Sequence, residues 1–177
     1  MSNDAMAEGR EREGTMIIKP GRYVAAHSGP IVVFVIGMRI NHLLKIAKWL
    51  PVARAMGPML RELTATSDSG LLGYEQMLGG LRTILVLQYW RDFDSLEAYA
   101  SSRDGLHRPA WRAFNRAIGD SGSVGIFHET YCVEAGRYET IYGNMPPWGL
   151  GKVAGTQLVP GLRSAARERM RTTVVEN

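Results

Sequence analysis

The side chains with chemistry to offer are four histidines and a few polar residues set within or beside apolar runs. His107 stands two residues before Pro109 in the stretch DGLHRPAWRAF, where a loop runs into a helix. An imidazole there titrates near neutrality and can pass a proton or ligate a metal; otherwise it caps the helix through backbone hydrogen bonds. Trp111 then reads as a cavity wall or core residue. His128 follows in IFHETYCV, next to Glu129. Strand alternation sends these neighbours to opposite faces, so they cannot work as one dyad. His128 alone is either a pocket base or ligand, or a hydrogen-bonded core histidine.

Arg39 and Asn41 close the run VVFVIGMRIN and can hold an anionic or oxygen-bearing group. An ion pair between Arg39 and Glu129 is the competing expectation. Gln88, two residues before Trp90 in LVLQYW, puts an amide into an apolar strand, and burying it unpaired costs several kcal/mol. It therefore needs a partner, a water or a ligand, and with Trp90 it is expected to touch substrate. Tyr131, Tyr142 and Asn144 can donate hydrogen bonds to an oxyanion. Alternatively they stitch the last strand to the loop NMPPWG, with Trp148 as its anchor.

Other machinery is missing from the sequence. No GxGxxG or phosphate-loop signature occurs, so nucleotide cofactors have no cradle, and there is no HExxH, cysteine pair or GxSxG elbow. The lone thiol, Cys132, lies inside a strand and is expected to be buried and inert. One cysteine also excludes an internal disulfide framework and fits a reducing cytoplasm, the expected location.

These residues need elements to position them. Ile31–Ile40 reads as a strand covered on both faces. Asn41 is a plausible cap for the helical pattern from Leu43 to Leu63, which Pro51 is expected to break near Leu50. Strands Leu71–Leu78 and Arg82–Arg91 follow, joined by Gly79-Gly80 as a hairpin. Asp92 or Asp94 caps a short helix over Ser95–Ser101, and His107–Ile118 forms another. A last strand spans Ile126–Val133, with a further extended piece at Tyr138–Tyr142.

Alternation also sorts the faces. Val33, Val35, Gly37 and Arg39 share one side of the first strand. Gln88 and Trp90 oppose Leu87 and Tyr89, and His128 with Cys132 opposes Glu129 with Tyr131. The order is strand, helix, strand, strand, helix, strand: an α+β, ferredoxin-like split βαβ arrangement with a four-stranded antiparallel sheet. Its helices cover one face only, while the strands read as apolar on both. Pairing of two copies sheet to sheet is the expected way to hide the other face.

With 177 residues the chain suits one such domain over 16–150, preceded by a flexible arm (1–15) and followed by a tail (151–177) with a helix over Leu158–Met170. The longest apolar run is too short to span a bilayer. The net charge of +4 owes much to arginines in the tail, and no basic run interleaves with aromatics. The expected partners are a second copy and a small molecule, with no nucleic acid and no membrane.

The segments QYWRDFDSLEAYA and HRPAWRAFNRA are similar to the dimeric α/β-barrel superfamily. More closely, VVFVIGMRIN, WLPVARAMGPMLREL, SGLLGYE, LQYWRDF, HRPAWRAFNRAIGDSG, VGIFHETY and YETIYGNMPPWGL resemble a domain-of-unknown-function family grouped with a fungal fumagillin-pathway monooxygenase. The resemblance runs from Ile31 to Leu150. It implies a choice among cofactor-independent oxygenation, haem-dependent chemistry, and isomerase or dehydratase reactions, and it puts a pocket-facing histidine at His107. The leading expectation is a monooxygenase-like enzyme, without cofactor, acting on an apolar polyketide- or terpenoid-like substrate in a pocket between sheet and helices. Two alternatives stand: a haem protein with His107 or His128 as axial ligand, and a non-catalytic binding or scaffolding module.

Overall fold

The computed structural model describes residues 18–66, 68–102, 112, 114, 115, 119, 121–159 and 165–172. Strand β1 (Lys19–Ala25) precedes β2 (Ile31–Ile40), helix α1 (Ile46–Ala65), strands β3 (Leu71–Leu78) and β4 (Thr83–Trp90), helix α2 (Phe93–Ser101) and β5 (Val124–Val133). Then come β6 (Tyr142–Met145), the one-turn helix α3 (Leu150–Val153), β7 (Thr156–Leu158) and α4 (Ala166–Thr172). The expected helix over His107–Ile118 falls mostly outside the described residues.

Strands β3-β4-β2-β5 form one antiparallel sheet in that order. The fold is α+β and ferredoxin-like, as the element order predicts. Residues of one parity (Val32, Met38 and Ile40 on β2, Val86 and Trp90 on β4) are buried. They meet apolar side chains of α1 and α2, including Val52, Leu63 and Leu96.

Helix α1 is continuous, and the expected break near Leu50 does not occur: Pro51 and Pro58 both sit inside it. Each proline removes one donor, to the carbonyls of Ala47 and Arg54. All four of these residues are exposed, so water can serve the freed carbonyls. Nor does Asn41 cap the helix. Its side-chain amide donates to the Gly122 carbonyl at 3.0 Å, tying the end of β2 to the loop before β5.

Asp92 is the cap expected of it, accepting from the Ser95 amide at 2.7 Å. Hydrogen bonds from Ser95 lead in holding its carboxyl down to about 2, against an ordinary 3.8, with Arg91 assisting. A folded-state value below the unfolded one means the cap's contribution is whole above pH 3.8 and fades as pH falls toward 2. Asp92→Asn retains a capping oxygen without the titration. It should therefore flatten that part of the acid-unfolding curve followed by circular dichroism.

The second face of the main sheet is partly covered by the chain itself. Strands β6-β1-β7 make a separate antiparallel sheet, a layer the sequence pattern did not foretell. Ala25, Tyr142 and Leu150 pack there against Ile31, with Val33, Tyr89 and Val133 beside them. Helix α3 comes so close to β3 that a Cβ on Gly73 would lie 2.5 Å from a Val153 methyl. Two further expectations change. The late strand is Tyr142–Met145 rather than Tyr138–Tyr142, and the expected tail helix begins instead as strand β7, with helix described over Ala166–Thr172.

Candidate functional site

A cavity of about 400 Å³ lies between the two sheets, within the range of small-molecule sites. Its floor is Ile31, Val33, Tyr89 and Val133 from the main sheet. Tyr138, Glu139, Thr140 and Ile141 make one wall, and Tyr142, Met145, Trp148 and Leu150 close over it. Trp148 is 40% exposed, in keeping with a place at the rim.

Three phenols carry the polarity of this cavity. Burial pushes the titration of Tyr89, Tyr138 and Tyr142 upward, so all three are neutral near pH 7. Tyr138 commits its proton to the Gly29 carbonyl at 2.8 Å. Tyr142 is different: its oxygen accepts from the Gly151 amide at 2.8 Å. The nearby backbone of Leu150 offsets part of the rise that burial causes in Tyr89. Helix α3 thus bonds the Tyr142 oxygen through Gly151, leaving that O–H able to serve a guest.

Helix α3 is held in place for this. Glu75 on β3 accepts from the Gly149 amide at 3.2 Å and pairs with Lys152 at 3.2 Å. Gly149 has φ of 54°, and a Cβ on it would come within 2.9 Å of the Tyr89 oxygen, so glycine suits the position twice over. On the far wall, Glu139 pairs with Arg169 of α4 at 2.7 Å.

Of the residues singled out from the sequence, the structure brings Tyr142 and Trp148 into the cavity. His107 and Trp111 lie outside the described residues. Gln88 and Trp90 are on the helix side of the sheet; the Trp90 indole donates to the Gln88 carbonyl at 2.8 Å, both buried. His128 shares that side, with its ring 5.7 Å from that of Phe34.

Strand β5 is the sheet's edge, which explains why His128, Glu129 and Cys132 are exposed and need no buried partner. The expectation of a buried thiol fails for this reason. The Arg39–Glu129 pair fails on register. Arg39 sits opposite Gly125 and Glu129 opposite Val35, roughly 13 Å apart along the strand. Glu129 instead accepts from Tyr131 at 2.5 Å, and that bond leads in raising the Tyr131 titration. Asn144 has φ of 52° and accepts from the Gly21 amide at 2.9 Å, a stitch between β6 and β1.

Sequence reasoning passed over Tyr89, Tyr138 and Glu139. Two signals pointed to them: Tyr89 follows Gln88 on the opposite face, and YETIY packs two phenols and a carboxylate into five residues. For haem, the cavity offers a poor fit. No imidazole of the described residues lines it, His128 being on the opposite side of the sheet. No cluster of three His, Cys, Asp or Glu among the described residues is placed to hold a metal ion.

Comparison with known proteins bears on this geometry. The chain is 31% identical over 150 residues to monooxygenase af470 of Aspergillus fumigatus, a match covering 80% of this chain and 50% of that protein. Two crystal structures of aldoxime dehydratase, one holding butyraldoxime, superpose with TM-scores of 0.60 and 0.58 at 18% identity. They cover 76% and 81% of this chain but 40% and 43% of theirs, so the likeness is one of fold. The chain spans about half the length of the curated relative. Residues 31–150, from the first strand of the main sheet to the residue that closes the cavity, match the family model for monooxygenase af470-like proteins, and the chain belongs to that family.

Proposed function

We propose that the chain is a monooxygenase-like enzyme that binds an apolar, oxygen-bearing molecule of polyketide or terpenoid type between its two sheets. The observation that carries this is the pairing of Tyr89 and Tyr142. Both are neutral phenols in an apolar cavity, and the Tyr142 oxygen is held by the Gly151 amide at 2.8 Å. Their O–H groups serve as donors to a substrate carbonyl, and they stabilise it more strongly as it becomes an enolate. Glu139, the carboxylate of the lining, is the proton acceptor in this reading. The substrate's own electrons reduce oxygen. A methylene beside the carbonyl gains one oxygen atom as a ketone, while the other atom leaves as water with the two methylene hydrogens. That balance calls for no nucleotide, in line with the missing nucleotide motifs.

A second copy of the chain is proposed to cover the rest of this face. Beyond the cavity it presents Val35, Leu85, Leu87 and Met77, only half-buried, with Phe127 37% exposed. Joining such patches about a two-fold axis removes apolar area from water.

The test uses an oxygen electrode and a tricyclic anthrone, whose methylene lies between aromatic rings and opposite a ketone. Uptake of one oxygen molecule per ketone formed supports the reading. Anthrone binding without uptake above the protein-free rate would overturn catalysis in favour of a carrier. Sedimentation velocity tests the pairing: a monomer at micromolar concentration removes it.

A further inference from the structure

The end of the sheet farthest from the cavity carries apolar residues that none of the described residues covers. Residues 41–48 (NHLLKIAK) are exposed throughout. Leu44 is 97% exposed and Ile46 54%; on the adjoining β3–β4 hairpin Leu81 is 94% exposed and Leu78 77%. The two segments are neighbours in space. The Ile40 amide donates to the Arg82 carbonyl at 2.7 Å, and the Arg82 guanidinium donates to the Asn41 carbonyl at 3.2 Å.

The protruding loop is also fastened. The Trp49 indole donates to the Leu43 carbonyl at 2.9 Å, the Lys45 amide to His42 at 3.1 Å, and the Asn41 amide to Ser123 at 3.1 Å. These leucines are held out toward solvent by a built turn.

The charge carried by these two segments has one sign. The charged residues of segments 39–60 and 76–90 are Arg39, Lys45, Lys48, Arg54 and Arg82, and neither segment contains an Asp or Glu. Apolar tips on segments whose charged residues are all cationic match an interface that is anionic at its surface and apolar just below. The geometry points to peripheral docking of this end on an anionic lipid bilayer, with Leu44, Leu81, Leu78 and Ile46 entering the headgroup region while Lys45, Lys48 and Arg82 meet lipid phosphates. A second copy is a poorer occupant, since a two-fold contact here would press these cations on one another. A nucleic acid would meet the cations but leave the leucines in water. No described helix is long and apolar enough to cross a membrane, so the contact is a surface one. The sequence alone led to the opposite expectation because the loop and the hairpin are separated by more than thirty positions and only the fold gathers them.

The patch lies seven residues along β2 from Val33 of the cavity floor, roughly 23 Å away. Variants here leave the cavity lining untouched. The experiment is co-sedimentation of the full chain with vesicles of phosphatidylcholine and phosphatidylserine, beside phosphatidylcholine alone. Binding is expected to the mixed vesicles, falling roughly tenfold or more in the double variant L44S/L81S. It should fall by a similar factor in K45Q/K48Q, and in high salt, since each cation is worth about fivefold at such a surface. Unchanged melting temperatures show that the variants still fold. Failure to bind mixed vesicles overturns the proposal, as does binding indifferent to L44S/L81S. Tighter retention on duplex DNA than on vesicles, insensitive to L44S/L81S, overturns it in favour of a nucleic acid.

Discussion

Tyr142→Phe is expected to slow oxygen uptake by roughly two to three orders of magnitude, the usual effect of removing one donor to a developing oxyanion. The ring stays, with its contacts to Ala25, Ile31 and Leu150, so the cavity keeps its shape. What goes is the phenol oxygen, and with it the O–H offered to substrate and the acceptor for the buried Gly151 amide. An orphaned amide costs about 1–3 kcal/mol, so a lower melting temperature accompanies the kinetic loss. The two effects separate in the kinetics. Lost transition-state stabilisation appears in kcat with KM little changed, whereas a slackened cavity raises KM first.

The same phenol fixes a pH signature. Burial raises its titration above the ordinary 10, so the neutral donor persists through the physiological range and the rate should not decline from this group until pH passes 10. Tyr89→Phe should slow uptake in the same way, since burial raises its titration likewise. The double variant should fall short of the product of the two losses, because both donors address one oxygen. A Tyr142→Phe enzyme with wild-type kcat would remove the proposed role.

Trp90→Ala should cost about 3–5 kcal/mol of stability, the usual toll for emptying the site of a large buried aromatic. Among the described residues Trp90 is the largest fully buried side chain, packed with Val32, Leu63 and Leu96 under the helices. Its indole is also the donor that satisfies the buried Gln88 carbonyl at 2.8 Å. Trp90→Phe isolates that part: most of the packing stays, the amide is orphaned, and about 1–3 kcal/mol should be lost. Urea unfolding with a common m-value reads both. A Trp90→Ala cost under about 1 kcal/mol would mean that the core closes over the gap without strain.

The main sheet was legible because its strands announce themselves twice, by β-branched runs and by bounding turns. Ile31–Ile40 and Leu71–Leu78 match residue for residue, and the face of every candidate on β2, β4 and β5 follows from alternation. Strand β1 was missed because KPGRYVA holds a proline and a glycine and makes a bulge between Lys19 and Arg22. Its pairing with β6 and β7 lies more than a hundred positions away, beyond any local pattern. That omission hid the cavity, whose roof these strands support. Gln88 drew suspicion for a sound reason, a polar group among apolar ones, yet its partner was its neighbour two residues on. No signal in IFHETYCV separates an edge strand from a central one, so the exposure of His128 and Glu129 does not follow from it. The cavity phenols are harder still: buried tyrosines fill cores more often than sites, and only their place in the cavity, with the Gly151 bond to Tyr142, marks them out.

The way the second sheet is assembled bears on how the molecule is made. Strand β1 finds its partners in residues 142–145 and 156–158, so it must wait for nearly the whole described chain before it can be laid down. Such high contact order slows closure. During synthesis the ferredoxin-like sheet can condense first, with Ile31, Val33 and Tyr89 still open to water until the late strands arrive. The nascent chain thus passes through a greasy, unroofed stage, and crowding by other chains at that moment favours aggregation. Expression yield should respond to temperature and chaperone supply more than the stability of the finished fold would suggest.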